Sequence, residues 1–331
     1  MGKTGLEKSE RVDWPRIAVM GAGAVGCYFG GMLARAGAPV MLIGRREHVE
    51  AIAREGLCLD SVNFRESVAV GASTQSDAVR GARLVMFCVK TLDDEQAARS
   101  IAPHIEPGAI VLSMQNGVDN AARIRAAAGI DALPAVVYVA ASMAGPGRVK
   151  HVGRGDLVLG ELPSPAASEH SRREEINWIA ELFSRAGVPC RIAENIEGEL
   201  WTKMIMNCAW NAVSALARST YGRAGRNPLT RELILSAAKE AIAVARAGGV
   251  RLPDIDLIAT GLKLGETMAD AFSSTAQDIA RGKRTEIDSL NGYIVRVGAE
   301  LHVPTPVNSA LYALVKLLEE AVSHQGSAAS V

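Results

Sequence analysis

The run Ile17-Ala18-Val19-Met20-Gly21-Ala22-Gly23-Ala24-Val25-Gly26 constrains this chain more than any other stretch. It is a short apolar strand that runs into G-x-G-x-x-G, the pattern by which a backbone makes room for a dinucleotide pyrophosphate. Gly21 permits the tight turn, Gly23 lets phosphates approach the backbone, and Gly26 lets the next helix pack on its strand. That helix aims its free N–H groups and positive dipole end at the phosphates. It reads as apolar from Val25 to Ala36, and Gly37 precedes a second strand, Pro39 to Ile43. Glycine spacing alone says little, but a complete β-α-β context makes Gly21, Ala22, Gly23, Ala24, Val25 and Gly26 candidate cofactor-binding residues.

The end of the second strand selects between the two nicotinamide cofactors. An acid there accepts from the adenosine ribose hydroxyls and favours NAD. This chain has Ile43-Gly44-Arg45-Arg46, with no acid at the tip. Gly44 is expected to leave room, and Arg45 to meet a 2′-phosphate with a charge-assisted fork. NADP(H) is the expected cofactor.

Further strands are expected at Val68–Val70, Leu84–Val89, Ile110–Ser113, Ala135–Ala141 and Asp156–Gly160, alternating with helical stretches. A helix from Ala166 to Ala186 and a strand at Val188–Ile192 would close this half. The alternation predicts an α/β Rossmann-type dinucleotide-binding domain with a mostly parallel sheet. From Glu194 only helical patterns follow: Glu194–Ala217, Leu229–Ala247, Asp254–Leu264, Met268–Ala280, Ile287–Leu301 and Ser309–Val322. The expected organisation is a flexible extension over 1–15, a cofactor domain over 16–192, an all-helical C-terminal domain over 193–322 and a disordered tail over 323–331.

The chain's 331 residues suit about two domains, and 48% hydrophobic content allows two sizeable cores. Lysines and arginines balance aspartates and glutamates at 36 each, so charge points to neither nucleic acid nor an anionic membrane. No apolar run is long enough for a membrane span, and the polar first fifteen residues do not read as a secretory signal. Five singly scattered cysteines fit a reducing cytoplasm, and no metal site is expected. The helical half would allow a homodimer, although a well-packed monomer needs the same residues.

Ligands of such a sheet bind at the carboxyl ends of its strands. Lys90-Thr91 follows one strand and Gln115-Asn116-Gly117 the next, so both face the crevice. Lys203, Asn207 and Asn211 recur every four residues and share one face of an otherwise apolar helix. Such polar groups are costly to bury without partners, which favours a polar ligand over core partners. A further constellation runs from Ser273-Ser274 through Asp278 to Thr285-Glu286-Ile287-Asp288. Thr285 is expected to cap a helix with Asp288 three residues on, which puts Glu286 in a first helical turn.

Together these residues resemble the ketopantoate reductase (2-dehydropantoate 2-reductase) family, from about Arg16 to Ala321. Cys88-Val89-Lys90, Gln115-Asn116-Gly117, the Glu199-Leu200-Trp201-x-Lys203-x-x-x-Asn207 helix and Gly282-x-x-Thr285-Glu286-Ile287-Asp288-x-Leu290-Asn291-Gly292 carry the resemblance. It implies NADPH-dependent reduction of ketopantoate to pantoate, in pantothenate and coenzyme A biosynthesis. It also implies that Lys203 handles the proton at the substrate carbonyl and that Glu286 binds a substrate hydroxyl. Asn207, Asn211 and Ser274 then contact substrate, Asn116 lies near nicotinamide and substrate, and Lys90 stands in the cleft. The family usually continues its lysine helix Asn-Pro-Leu-Thr-Ala, whereas this chain reads Asn211-Ala212-Val213-Ser214-Ala215. That departure bears on which 2-oxo acid is reduced. A paralogous 2-oxo acid reductase, a β-hydroxyacid or 6-phosphogluconate-type dehydrogenase and a non-catalytic NADPH sensor are the alternatives.

Overall fold

The computed structural model of this protein describes residues 13–163 and 172–328, with side chains described to 322. The strands are β1 (Ile17–Met20), β2 (Val40–Ile43), β3 (Leu57–Asp60), β4 (Arg65–Val68), β5 (Gly71–Ser73), β6 (Leu84–Phe87), β7 (Ile110–Ser113), β8 (Ala132–Gly145), β9 (Arg148–Leu159) and β10 (Cys190–Ile192). The helices of this half are α1 (Ala24–Arg35), α2 (Arg46–Glu55), α3 (Asp94–Ile101), α4 (Asn120–Ala128) and α5 (Arg173–Arg185). The strands form one sheet in the order β4-β3-β9-β8-β7-β6-β1-β2-β5, with β10 beside β9. The run from β8 through β7, β6, β1 and β2 to β5 is parallel throughout. One face carries α1 and α5 over Phe29, Leu33 and Phe183, and the other carries α3 and α4 over Phe87, Ile101 and Ile124.

Two antiparallel pairs extend this frame. β8 is 14 residues long and turns back as β9, with three register shifts along the pair. β3 and β4 form a hairpin at the sheet edge where only a strand at Val68–Val70 is expected. Arg65, Glu66 and Ser67 hide it from a hydrophobicity pattern, because an edge strand exposes its polar side chains.

The second half comprises α6 (Ile196–Leu216), α7 (Tyr221–Arg226), α8 (Pro228–Ala247), α9 (Leu257–Thr267), α10 (Ser274–Ala280), α11 (Asn291–Glu300) and α12 (Pro306–Ala328). They enclose a separate core around α6, with Trp210, Ile205 and Val315 at its centre. The expected helix Met268–Ala280 begins only at Ser274. The preceding carbonyls of Ala269 and Ala271 instead accept from the amides of Gly222 and Tyr221, at 2.9 and 3.0 Å. The expected helix from Ile287 is a short 3₁₀ turn, Ile287–Ser289, broken at Leu290 before α11 starts.

Described structure overlaps part of both expected termini. Trp14, inside the expected extension, packs on the first core and carries the Arg185 guanidinium 4.3 Å from its ring centroid. Residues 1–12 of that extension lie outside the described residues. α12 continues to Ala328, over part of the stretch expected as a tail. Residues 329–331 lie outside the described residues. Among the described residues no helix is long and apolar enough to cross a membrane.

Candidate functional site

The turn after β1 is shaped to admit phosphates. Gly21 has φ +111°, and a Cβ there would lie 2.7 Å from the backbone of Cys88 and Val89. A Cβ on Gly26 would overlap the Gly21 carbonyl oxygen, so only glycine lets α1 approach the turn. Gly23, in contrast, faces open space within 4 Å of its Cβ position. It caps α1 without any side-chain hydrogen bond, so the first-turn amides around Ala24 and Val25 have no side-chain acceptor. Open space beside unpaired amides and a helix dipole suits a pyrophosphate. The residues present therefore fit a dinucleotide cofactor.

Two details of the crevice differ from expectation. Ala22 is buried and donates its amide to the Ile43 carbonyl at 3.0 Å, so that amide holds the turn. The space where a Cβ of Gly44 would stand is taken by Ala22, whose Cβ lies 2.5 Å from that position. Arg45 projects into solvent just past the tip of β2. Its side chain is 72% exposed and only 3.7 Å from Glu47, which leaves most of its guanidinium available to an anion.

The second part of the site is built on α6. Asn195 caps this helix, its Oδ1 accepting from the Gly198 amide at 3.1 Å. Two turns later Lys203 reaches across to the sheet. Its Nζ donates to Asn116 Oδ1 at 2.8 Å and to the Val137 carbonyl of β8 at 2.6 Å. Burial lowers the ammonium from its ordinary range to about 8. Glu286 opposes that shift and Arg154 adds to it.

Asn116 joins this lysine to Glu286. Its Nδ2 donates to Glu286 Oε2 at 2.9 Å while its Oδ1 accepts from Lys203. The other carboxylate oxygen of Glu286 accepts from the Thr91 amide at 3.3 Å and its hydroxyl at 3.4 Å. Glu286 is therefore oriented by donors from the segments that follow β6 and β7, not by a helical first turn. Thr285 does cap the Ile287 amide at 3.2 Å, but Asp288 forms no capping box. It accepts from Tyr312 at 2.6 Å and pairs with Lys316 at 3.0 Å.

The remaining expected residues divide. Asn211 is buried; it accepts from the Tyr221 hydroxyl at 3.1 Å and donates to Ser274 Oγ at 3.5 Å. Ser274 opens α10 directly after Ser273, whose Oγ caps the Ala276 amide at 3.0 Å. Asn207 is half-buried on the same face and has no side-chain partner among the described residues. Lys90 donates to the Arg284 carbonyl and pairs with Asp278, both at 2.8 Å, so it ties the two halves together. Ser214 is fully buried; it donates to the Ser219 carbonyl and accepts from the Ser273 amide, so it lines no pocket.

Sequence reasoning assigned no role to the layer beneath these groups. The Thr91 hydroxyl lies 3.2 Å from Asn120 Oδ1 and 3.3 Å from the Asn116 carbonyl, while Asn120 Nδ2 donates to that carbonyl at 2.8 Å. Buried Asp94 accepts from Gln115, and burial pushes its carboxyl up to about 7. Asn120 opens α4, four residues beyond Asn116.

Both halves of the chain are similar to known proteins. The family described as ketopantoate reductase PanE/ApbA matches residues 17–164, and its C-terminal counterpart matches residues 195–319. The 2-dehydropantoate 2-reductase of Pyrococcus horikoshii is 33% identical, with 92% of this chain and 97% of that protein covered. The crystal structure of a PanE/ApbA family ketopantoate reductase from Ralstonia eutropha JMP134 is 48% identical, with TM-score 0.84, and covers 93% of this chain and 100% of its own. A D-mandelate dehydrogenase with NADH and anilino(oxo)acetate superposes with TM-score 0.86 at 26% identity, covering 93% of this chain and 99% of its own. The crevice, the lysine helix and these matches over both halves lead to one conclusion: this chain belongs to the ketopantoate reductase family and is an oxidoreductase acting on a CH–OH group.

Proposed function

We propose that this protein reduces ketopantoate to pantoate with NADPH, with Lys203 as the proton donor and Glu286 as the receptor for the substrate hydroxyl. The observation that carries this reading is the chain of contacts from Lys203 through Asn116 to Glu286, set at the strand ends beside the phosphate-binding turn. Gly21, Gly23 and Gly26 with the N-terminus of α1 would hold the pyrophosphate, and Arg45 the 2′-phosphate. Bound there, the cofactor supplies the hydride that adds to C2 of the 2-oxo acid.

The chain's own residues supply the rest. Negative charge develops on the C2 oxygen, and an ammonium close by both stabilises that charge and delivers a proton. Burial makes Lys203 a stronger acid than an exposed lysine, near the range where general acids work best. Asn116 keeps the ammonium aimed by accepting one of its hydrogens. Glu286 can accept only, so it favours a substrate group with a hydrogen to donate, such as the distal hydroxyl of ketopantoate. Asn207 offers an unpartnered amide, and Asn211 with Ser274 completes the polar wall. Pantothenate and coenzyme A biosynthesis is the pathway this reading implies.

A second reading has its own support. The likeness to D-mandelate dehydrogenase, with the altered Asn211-Ala212-Val213-Ser214-Ala215 run, favours a paralogue that reduces another 2-oxo acid. Oxidation of NADPH and of NADH, each followed with ketopantoate and with phenylglyoxylate, separates the two. The proposal predicts fast turnover with ketopantoate and NADPH. Preference for phenylglyoxylate establishes the second reading, and tight cofactor binding without turnover on either overturns both.

A further inference from the structure

Arg154 on β9 has φ 52°, a left-handed backbone that side chains other than glycine rarely adopt. Such a conformation persists only where its surroundings enforce it. Here the pairing of β8 with β9 slips between Tyr138, opposite Asp156, and Val139, opposite Arg154. Gly155 is the extra residue, and a bulge of this kind re-aims the neighbouring side chain. The buried His151 ring holds the Arg154 carbonyl through Nε2. That ring is itself stacked on Tyr28 at 4.3 Å and lies 2.9 Å from Ser61 Oγ.

The side chain so aimed is braced twice. The Arg154 guanidinium sits 4.0 Å from the centroid of the Tyr138 ring. It donates to Asp156 from Nε at 3.0 Å and from Nη2 at 2.7 Å. Tyr138 directly follows Val137, whose carbonyl accepts from Lys203, and Lys203 Nζ stands 5.8 Å from the same ring centroid. A fixed guanidinium and the reactive ammonium thus share one aromatic ring. We propose that Arg154 is a positioning residue that acts through Lys203: its permanent charge disfavours a second cation beside it and keeps Lys203 ready to release its proton.

This inference rests on the reading of Lys203 as proton donor. The charges that face Lys203 come from several elements. Glu286, ahead of α11, favours the ammonium, whereas Arg154 from β9 disfavours it. Glu199, one turn earlier on α6, is held by Arg191 of β10 at 2.7 Å. Asp156 partly cancels the field of Arg154. A guanidinium keeps its proton throughout the working pH range, so its influence on Lys203 is constant.

The test titrates Lys203 directly, by NMR of its labelled side chain, in the unaltered protein and in Arg154→Gln, Arg154→Lys and Asp156→Asn. Loss of the charge in Arg154→Gln should raise the Lys203 midpoint by about half a unit or more. Arg154→Lys should leave it close to the unaltered value. Asp156→Asn should lower it, because Arg154 is then no longer neutralised. A midpoint unmoved in both Arg154→Gln and Asp156→Asn, with their near-ultraviolet circular dichroism intact, overturns the proposal. Should Arg154→Gln fail to fold, Asp156→Asn carries the test alone, with its opposite sign. The pH profile of NADPH oxidation should shift in parallel. A midpoint that moves under an unmoved rate profile sustains the coupling and refutes the proton-donor reading instead.

Discussion

The phosphate-binding turn and the lysine cleft are assembled from different materials. The turn uses six consecutive residues, Gly21 to Gly26, and works through bare backbone. The cleft draws Lys90 and Thr91, Asn116, Lys203, Ser274 and Glu286 from five separate stretches and works through side chains. A local backbone device depends on what is missing, namely β-carbons and competing hydrogen bonds. A dispersed side-chain device depends on how two cores place their elements. Cofactor binding and chemistry should accordingly fail independently when each is damaged.

The sharpest break is Lys203→Ala. It should reduce kcat by about 10²–10⁴-fold. NADPH affinity, read by quenching of protein fluorescence, should stay within a few-fold. A parallel loss of cofactor affinity would erase the distinction between the two regions. Next comes Glu286→Ala, expected to raise KM for ketopantoate about 10–100-fold, the worth of a hydrogen bond to a charged group. Its KM for 2-oxo acids without the distal hydroxyl should hardly change; equal losses on both substrates would remove Glu286 from substrate recognition.

Arg45→Ala probes the other region. It should weaken NADPH about tenfold, with NADH affinity and saturated kcat unaffected. Equal weakening of both nucleotides would show that Arg45 does not read the 2′-phosphate. The pH dependence of kcat belongs to the cleft alone: activity should fall as pH rises through about 8, where Lys203 loses its proton. The smallest effect concerns stability. Asp94 has a folded-state pKa raised to about 7 from 3.8, so the folded chain holds that proton more tightly than the unfolded one. Its contribution is present below about pH 4 and lost as pH rises through about 7. Asp94→Asn should flatten that part of the curve of thermal midpoint against pH, and an unchanged slope would count against it.

This division also explains what could be read from the sequence. Gly21, Gly23 and Gly26 fall within six consecutive residues, so their spacing is legible, although the backbone that Gly21 approaches is that of distant Cys88 and Val89. Lys203, Asn207 and Asn211 were legible as polar steps on an apolar helix. The hairpin of β3 and β4 was not, since Arg65-Glu66-Ser67 lacks apolar alternation. Nor did spacing reveal that Ala22 fills the space beside Gly44, because that contact joins two β-α turns. The supports of Glu286 lie 195 residues away at Thr91 and 170 away at Asn116. No local pattern records partners at that separation, and a helix start was the wrong guess for what holds the carboxylate.

The ties between the halves have a kinetic consequence. Lys203 is bonded to Val137, Glu286 to Thr91 and Asn116, and Lys90 to Asp278, all across the same seam. Swinging the helical half outward strips Glu286 of its donors and separates Lys90 from its acid. Opening this seam would require water to rehydrate several charges at once. Dissolved ions, which screen such charges, should hasten the opening of this seam more than they alter the chemical step behind it.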